Sequence, residues 1–367
     1  MTNKIIWLTS DYFIDVDFAL VPFLQKSYNI EWYIIKGKNS TITVPSELKC
    51  SIFQRKYASS KDPRSYWEMW SFIKKISKEK TSIVYSDTVG DIFYHKLLLH
   101  YFKRTPIIHA AHNVKPYSNS YADAWPKRLK KVVAYAFIHH KYFQLFSKAT
   151  YEYFINHYPN KKVFYCPMTL KSYGKLRTHN YNIDKSKMNL LFFGNIMGNK
   201  RLDLLIEAIK SLPKPIKDKI HLTIAGKCNS PETYIKMIGN EKCISTFFKR
   251  IDDDEIPELF TKHQFLMLPY EAVAQSGPHM IAYYYDLPVI ASRIDGFKDR
   301  IEEGINGYCF TVNDKADLCR VITKVAMMQE KEYLVMKSNL HKYAKDNFGI
   351  EAIAPKYITF FKSLTNE

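Results

Sequence analysis

The sequence predicts an α/β protein with two Rossmann-like, doubly wound domains that face each other across a cleft. Short apolar runs alternate with longer helical patterns along the chain, as expected for parallel strands connected by helices. The 367 residues exceed the size at which one hydrophobic core usually stops growing. A polar stretch rich in Lys, Asn and Tyr, residues 169–187, interrupts the alternation near the middle.

This interruption sets the predicted domain boundaries. The first domain covers residues 1–170, a linker 171–187, and the second domain 188–347. Residues 348–367 contain a stripe of apolar residues at helical spacing, which predicts a C-terminal helix that packs back toward the first domain. Because open α/β sheets bind ligands at the carboxyl ends of their strands, a small-molecule site is expected between the halves.

The elements are predicted from short runs rich in Ile, Val, Leu, Tyr and Phe and from apolar residues at helical spacing. Strands of the first half are predicted at 4–8, 30–35, 82–85, 106–109, 145–147 and 163–165. Its helices are predicted near 17–27, 65–79, 90–102, 124–143 and 148–157. Strands of the second half are predicted near 189–193, 220–225, 265–268, 287–291 and 308–311. Its helices are predicted near 200–211, 230–239, 254–262, 277–286, 315–329 and 331–347.

The composition is that of a soluble globular protein, with 46% hydrophobic and 25% charged residues. Six cysteines without CxxC spacing argue against a zinc site or a disulfide framework and favour a reducing compartment. The apolar residues 5–8 are followed closely by three aspartates, so no signal peptide is predicted. Since no apolar run approaches 18 residues, no membrane span is expected either. A cytoplasmic location is predicted.

The net charge of +18 is unevenly distributed. Residues 101–180 contain 14 Lys and Arg but only Asp123 and Glu152, which favours an anionic partner over that region. The basic, amphipathic segment 124–143 could lie on an anionic membrane surface, or it could be a core helix with a solvated basic side. Nucleic acid is not expected, because the chain lacks a helix-turn-helix pattern and a basic-aromatic platform.

Residues 264–310 contain the most informative pattern, a strand, a small polar loop, a helix and a second strand. The loop Gln275-Ser276-Gly277 leads into a helix that opens on Pro278. Free backbone N–H groups and the positive dipole end make such a junction suitable for a phosphate. The same junction also occurs in many α/β proteins without binding anything.

Two further strand ends contain glycine followed by a basic residue. Gly194-Asn195 ends one strand before Lys200, and Gly226-Lys227 ends the next. A lysine at a helix start is slightly unfavourable against the dipole, which favours a role in neutralising a diphosphate. The acidic run 252–255 is interpreted as a cap of the following helix rather than as a metal site.

Together these motifs resemble the family-4 glycosyltransferases of the GT-B fold. The resemblance covers about 186–325 and runs in order through LLFFGNIMGNK, IAGK, LPYEAVAQSGPHMIAYYYDLPVIAS and GFKDRIEEGINGYCF. The family's usual pair of glutamates is absent, because Val273 and Ile281 occupy those positions. The chain therefore looks like a subgroup that has the Gln-Ser-Gly loop and lacks this pair.

The resemblance implies a retaining transfer from a nucleotide sugar without an essential metal or other cofactor. It implies that Lys200, amides near Gly194 and the Ser276-Gly277 helix start stabilise the leaving diphosphate. The remaining donor contacts are predicted at Asn195, Gly226, Lys227, Arg250, Ile251, Glu271 and Gln275.

In the first half, IIHAAHNVKPYS resembles the family's strand-end histidine segment. The resemblance implies that His112 orients the donor sugar, with Asn113 beside it on the acceptor side, whereas His109 is interpreted as a core residue. Asp15 and Asp17 either contact acceptor hydroxyls or cap the helix predicted at 17–27.

The expected activity is transfer of a hexosyl group to a glycan, expected to be linked to a lipid carrier, in bacterial surface polysaccharide synthesis (O-antigen or capsule). The first domain would then be the acceptor side, at the inner face of the cytoplasmic membrane. An inactive GT-B partner subunit and another nucleotide-sugar enzyme, such as an epimerase, are the alternatives.

Overall fold

The computed structural model describes residues 4–57, 62–112, 114, 126–179, 181 and 183–365, and the chain divides into two compact units. Unit 1 comprises Met1–Thr169 and Phe348–Glu367, and unit 2 comprises Leu170–Asn347. Each unit is a parallel sheet with connecting helices, so the predicted class of two Rossmann-like α/β domains is confirmed.

Unit 1 contains a seven-stranded parallel sheet with the order β3-β2-β1-β4-β5-β6-β7. The strands are β1 (Lys4–Ser10), β2 (Asn29–Lys36), β3 (Ser51–Gln54), β4 (Ile83–Asp87), β5 (Ile107–Ala111), β6 (Tyr142–Leu145) and β7 (Lys162–Tyr165). The helices are α1 (Ile14–Asp17), α2 (Leu20–Leu24), α3 (Pro63–Ile76), α4 (Ile92–Tyr101), α5 (Lys127–His139), α6 (Lys148–His157) and α14 (Ile350–Thr365).

Unit 2 contains a six-stranded parallel sheet with the order β10-β9-β8-β11-β12-β13. The strands are β8 (Met188–Phe193), β9 (Ile220–Ala225), β10 (Ile244–Phe247), β11 (Phe265–Leu268), β12 (Val289–Ser292) and β13 (Gly307–Phe310). The helices are α7 (Leu202–Ser211), α8 (Lys214–Lys217), α9 (Pro231–Ile238), α10 (Ile256–Lys262), α11 (Gly277–Tyr284), α12 (Lys315–Ala326) and α13 (Glu330–Phe348).

The central strands are buried along their whole length, because helices cover both faces of each sheet. This burial explains why most strands read as continuous apolar runs. The edge strand β3 was missed because most of its Ser-Ile-Phe-Gln segment is exposed. The short strand β10 was missed as well, and β6 ends at Leu145, where the sequence predicted a strand to begin.

A buried polar network joins the C-terminal helix α14 to the sheet of unit 1. The Tyr85 hydroxyl donates to Gln144 Oε1, and Gln144 Nε2 donates to the Tyr357 hydroxyl at 2.6 Å. The Trp7 ring stacks on Tyr85 with a centroid separation of 3.8 Å. Residues 213 positions apart in the chain are thus held in one core.

We expect Tyr357→Phe to lower the free energy of unfolding by about 1–3 kcal/mol, because a buried amide donor of Gln144 loses its partner. Urea denaturation measures the change. Tyr284→Phe, at a residue that is 43% exposed, is the control and should change stability little. Equal effects of the two substitutions would contradict the structural role of the network.

Candidate functional site

In unit 2, the site predicted from sequence lies at the carboxyl edge of the sheet, where β8 and β11 are neighbours. Strands β9 and β10 extend to one side of β8, and β12 and β13 extend beyond β11 on the other. The strand order therefore reverses between β8 and β11. Ligands of open α/β sheets bind in the crevice at such a point.

Two glycines let the ends of β8 and β9 approach closely. A Cβ on Gly226, which has a φ of 151°, would lie 1.9 Å from the carbonyl oxygen of Gly194. Gly194 has a φ of 108°, and its N–H donates to the Ala225 carbonyl at 3.0 Å. The Gly194 amide is thus engaged in the sheet, and the predicted diphosphate contacts of amides near Gly194 stay a prediction for the loop that follows. Gly194 supplies space instead.

The side chain of Lys200 occupies the space beside Gly194. Its Nζ is 3.1 Å from the position that a Cβ on Gly194 would take, and 5.4 Å from the centroid of the Tyr270 ring. Burial lowers the pKa of Lys200 to about 8. Lys200 ends a 3-10 turn over Gly198–Lys200 rather than starting α7, which begins at Leu202.

Helix α11 begins at the same edge. Ser276 is its N-cap and accepts a hydrogen bond from the His279 N–H at 3.4 Å. Pro278 Cγ lies 3.5 Å from the Cβ position on Gly194 that also faces Lys200. The structure therefore brings together Gly194, Lys200 and the amino end of α11, as the sequence predicted for a phosphate site.

Two contacts hold the loops around this helix start. The Glu271 N–H donates to the Asn199 carbonyl at 2.9 Å, and the Asn199 side-chain amide donates to the Ala272 carbonyl at 3.3 Å. A Cβ on Gly296 would lie 2.3 Å from the Val273 carbonyl oxygen, so the loop after β12 packs closely here. These contacts fix the polar loop before α11.

Sequence reasoning missed a second lysine at this helix start. Lys171 is only 6% exposed, and its Nζ is 3.4 Å from the Cβ position of Gly277. The backbone N–H of Lys171 donates to the Met280 carbonyl, with 3.4 Å between nitrogen and oxygen. No sequence signal identified Lys171, because it stands in the segment predicted to be a linker.

The other predicted donor residues differ in their exposure. Asn195, Lys227 and Arg250 are exposed, whereas Ile251 is buried. Glu271 and Gln275 are partly buried in the loop before α11. Their contacts with a donor remain predictions.

The acidic run 252–255 does not cap α10 as predicted. Glu255 is the N-cap residue, but its side chain makes no capping hydrogen bond. Its carboxylate accepts hydrogen bonds from Lys249 at 2.9 Å and from the Tyr181 hydroxyl. Burial alone would raise the pKa of Glu255, but these hydrogen bonds outweigh burial and lower it. Among the described residues, no group of three or more His, Cys, Asp or Glu could hold a metal ion.

In unit 1, His112 follows β5 and is fixed by three neighbours. Its Nε2 is 2.6 Å from Asp87 Oδ1, and its ring lies between Phe13 and Phe146 at centroid distances of 3.8 and 4.3 Å. Asn113 lies outside the described residues. A stacked imidazole with one nitrogen bound to a buried carboxylate has a set orientation, which suits a positioning role.

Neither predicted role fits Asp17, which is 1% exposed. Its Oδ2 accepts hydrogen bonds from Trp7 Nε1 at 2.9 Å and from Thr9 Oγ1 at 2.5 Å. Burial and the neighbouring Asp87 raise the pKa of Asp17 well above its usual value. The predicted helix over 17–27 is split into α1 and α2, and the N-cap of α2 is Ala19, so capping by Asp17 is wrong. Asp15 lies in the first turn of α1.

The basic segment predicted over 124–143 contains α5. Val132, Ala136 and Phe137 are buried in unit 1, while the basic residues are exposed. The exposed basic residues are Lys127, Arg128, Lys130, Lys131 and Lys141. In the part of the chain that the structure describes, no helix is long and apolar enough to cross a membrane.

Comparisons with known proteins show which proteins this chain is similar to. Residues 178–346 match the family model described as "Glycosyl transferases group 1". The chain is 22% identical over 317 residues to "Uncharacterized glycosyltransferase MJ1069" of Methanocaldococcus jannaschii, covering 82% of this chain and 79% of that protein. It is also 22% identical over 208 residues to an "Uncharacterized 41.2 kDa protein in cps region" of Klebsiella pneumoniae, covering 55% of each.

A solved structure extends the comparison to the whole fold. Anabaena Alr3699/HepE, solved in complex with UDP and glucose, superimposes with a TM-score of 0.72 at 14% identity. The match covers 98% of this chain and 100% of the Anabaena chain. The GT-B fold predicted from the sequence is thereby confirmed.

We expect Gly226→Ala to destabilise the protein by several kcal/mol, because the new methyl group would overlap the Gly194 carbonyl. Gly239→Ala is a matched control, since Gly239 also has a positive φ of 61° but no atom within 4 Å of its Cβ position. Because Gly239 has a ψ of −128°, outside the left-handed helical region, the control should cost about 1–3 kcal/mol from backbone strain alone. Chemical denaturation compares the two, and equal losses would contradict the close approach of β8 and β9.

Proposed function

We propose that this chain, whose residues 178–346 match the family model of group 1 glycosyl transferases, is a retaining enzyme that transfers a sugar from a nucleotide sugar to a glycan acceptor. The observation that supports this proposal best is the position of Lys200 in unit 2. A lysine with a pKa of about 8 stands beside Gly194 at the edge where α11 begins. A cation held there is favourable once an anion binds.

The chemistry follows from the charge that develops in the reaction. Cleavage of the bond between the sugar and the diphosphate leaves negative charge on the leaving group. Lys200 and the amino end of α11 would stabilise that charge by preorganised electrostatics, so a metal is not required. Lys171 would add a second ammonium group close to Gly277.

His112 is proposed to orient the donor sugar. Asp87 accepts a hydrogen bond from, or forms an ion pair with, one of its ring nitrogens, and two aromatic rings hold its plane. These contacts also fix the orientation of the other ring nitrogen relative to the carboxyl end of β5. Gln275 and Glu271 are proposed to contact sugar hydroxyls from the loop before α11.

UDP is the first nucleotide to test, since the Anabaena protein was solved with UDP and glucose. The acceptor is proposed to be a lipid-linked glycan of a surface polysaccharide. Support comes from the Klebsiella relative in a cps region and from the exposed basic side of α5, which suits an anionic membrane surface. The enzyme would then act at the inner face of the cytoplasmic membrane.

Lys200→Met should weaken UDP binding by about tenfold to a hundredfold, the loss expected for a hydrogen bond to a charged group. The same substitution should stabilise the unliganded protein by about 1 kcal/mol or more, because each unit of pKa depression costs a charged lysine about 1.4 kcal/mol. Calorimetric titration and thermal denaturation measure the two effects.

Lys214→Met removes the same charge from an exposed position on α8 and is the control for both measurements. It should leave binding and stability nearly unchanged. If Lys200→Met bound UDP like the wild type, Lys200 would not belong to the donor site. If it lost binding and also lost stability, Lys200 would act mainly on the fold.

UDP binding should also depend on pH in a way set by Lys200. Its pKa is about 8, so the ammonium form is lost as the pH rises through that value. The diphosphate stays ionised over the same range. Affinity should therefore fall by up to about tenfold per pH unit above pH 8. Lys200→Arg, which stays charged, should remove this slope. A flat wild-type profile between pH 7 and 9.5 would rule out the assigned charge.

A further inference from the structure

A cavity lies entirely within unit 1, at the carboxyl edge of its sheet. It has a volume of about 330 Å³ and is lined by residues that follow β1, β2, β3 and β4 and by the starts of α3 and α4. In the strand order β3-β2-β1-β4, the direction of chain progression reverses between β1 and β4. The cavity thus occupies the ligand-binding position of this sheet, at the lower end of the usual size for small-molecule sites.

Aromatic side chains form much of the cavity wall. Tyr12 is 82% exposed, and the Tyr66 and Phe93 rings meet edge to face with a centroid separation of 5.0 Å. Single exposed rings are common on protein surfaces, but Tyr12 lines a concave site together with Tyr66 and Phe93, which is typical of a small-molecule pocket. Aromatic faces beside polar groups suit a sugar ring, which is apolar on its C–H face and polar at its rim.

The acidic groups of the cavity serve to hold its rim. Asp11 Oδ2 accepts a hydrogen bond from the Gly37 N–H at 3.0 Å. Asp91 caps α4 by accepting from the Tyr94 N–H at 2.8 Å, and its other oxygen lies 3.8 Å from Arg128. Both carboxylates therefore have local partners.

Arg55 differs from these groups. Its Nη2 donates to Ser65, but its Nε is buried and has no hydrogen-bond acceptor. Within the described ranges, Arg55 makes no ion pair with a carboxylate. A buried, charged N–H without an acceptor is costly, so a partner is expected from outside the chain. Because Arg55 lines the cavity, a ligand in the cavity can supply that acceptor.

We infer that this cavity binds the acceptor and selects a sugar that carries a carboxylate or a phosphate group, with Arg55 as the residue that determines specificity. The inference rests on the proposed transferase function, which it refines by naming the acceptor class. The guanidinium matches both anions, since its planar set of donors pairs with carboxylate and phosphate oxygens.

Saturation-transfer NMR on the full chain tests this inference, with saturating UDP present to occupy the donor site. The ligands are methyl glycosides of glucuronic and galacturonic acid, glucose 6-phosphate, and the neutral methyl glucoside and galactoside. At least one acidic sugar should bind about tenfold more tightly than its neutral counterpart, as expected for a charge-assisted hydrogen bond. The uronic acids and the phosphate distinguish the two anions.

Arg55→Gln should abolish the preference, and Lys56→Gln should preserve it. Lys56 is the matched control because it is exposed, adjacent in sequence and absent from the cavity wall. Arg55→Lys keeps the charge but lacks Nε, so it should recover only part of the preference. The inference is overturned if no acidic sugar exceeds its neutral counterpart, or if Arg55→Gln retains the preference.

A separate UDP titration distinguishes this inference from the proposed function. Arg55→Gln should bind UDP like the wild type, which also shows that the variant is folded. A wild-type protein that binds acidic sugars but no nucleoside diphosphate would refute the transferase and leave the cavity assignment standing. Binding of UDP with no preference among sugars would refute the cavity assignment and leave the proposed transferase function standing.

Discussion

The site in unit 2 depends on the buried ammonium group of Lys200. Burial lowers its pKa to about 8, and it shares its surroundings with the positive end of α11. Both conditions oppose a positive charge in the unliganded protein. Side chains with strongly shifted pKa values are common at binding and catalytic sites.

The backbone around Lys200 is shaped to hold it there. Gly194 leaves room for the side chain, Gly226 lets β9 approach β8, and Gly296 lets the loop after β12 approach the loop before α11. A Cβ at Gly226 or Gly296 would overlap a carbonyl oxygen, whereas a Cβ at Gly194 would crowd the Lys200 Nζ at 3.1 Å. The site therefore combines close backbone packing with two lysines, Lys200 beside Gly194 and Lys171 beside Gly277.

The buried ionisable groups of unit 1 include three histidines that carry no charge at pH 7, in contrast to Lys200. His95, His109 and His140 form a buried cluster, in which His95 Nδ1 lies 3.0 Å from His140 Nε2. Burial lowers the pKa of His95 to about 4 and that of His140 to about 3, so these rings are neutral at pH 7. His109, interpreted from the sequence as a core residue, belongs to this cluster. His112, three residues later in the chain, is instead paired with Asp87.

Periodicity and glycine placement make part of this structure predictable from the sequence. Local patterns predict the sheets and most of the helices. Because parallel strands end at the same edge of a sheet, they also predict that Gly194, Lys200 and α11 lie close together. Lys171 and Asp17 could not be predicted in this way, because their environments depend on residues far away in the chain. The role inferred for Arg55 could not be predicted for the same reason. The local sequence shows neither that its Nε lacks an acceptor nor that a cavity lies beside it. The edge strand β3 lacks the burial that gives other strands an apolar pattern.

The ionisation of Lys200 is the property that most directly tests its assigned role. The Nζ and Cε chemical shifts of Lys200, assigned through Lys200→Arg, can be followed by NMR from pH 6 to 11 with and without UDP. We expect a pKa near 8 in the unliganded protein and a clear increase when UDP binds. An ordinary lysine pKa in the unliganded protein, or a pKa that UDP leaves unchanged, would contradict that role.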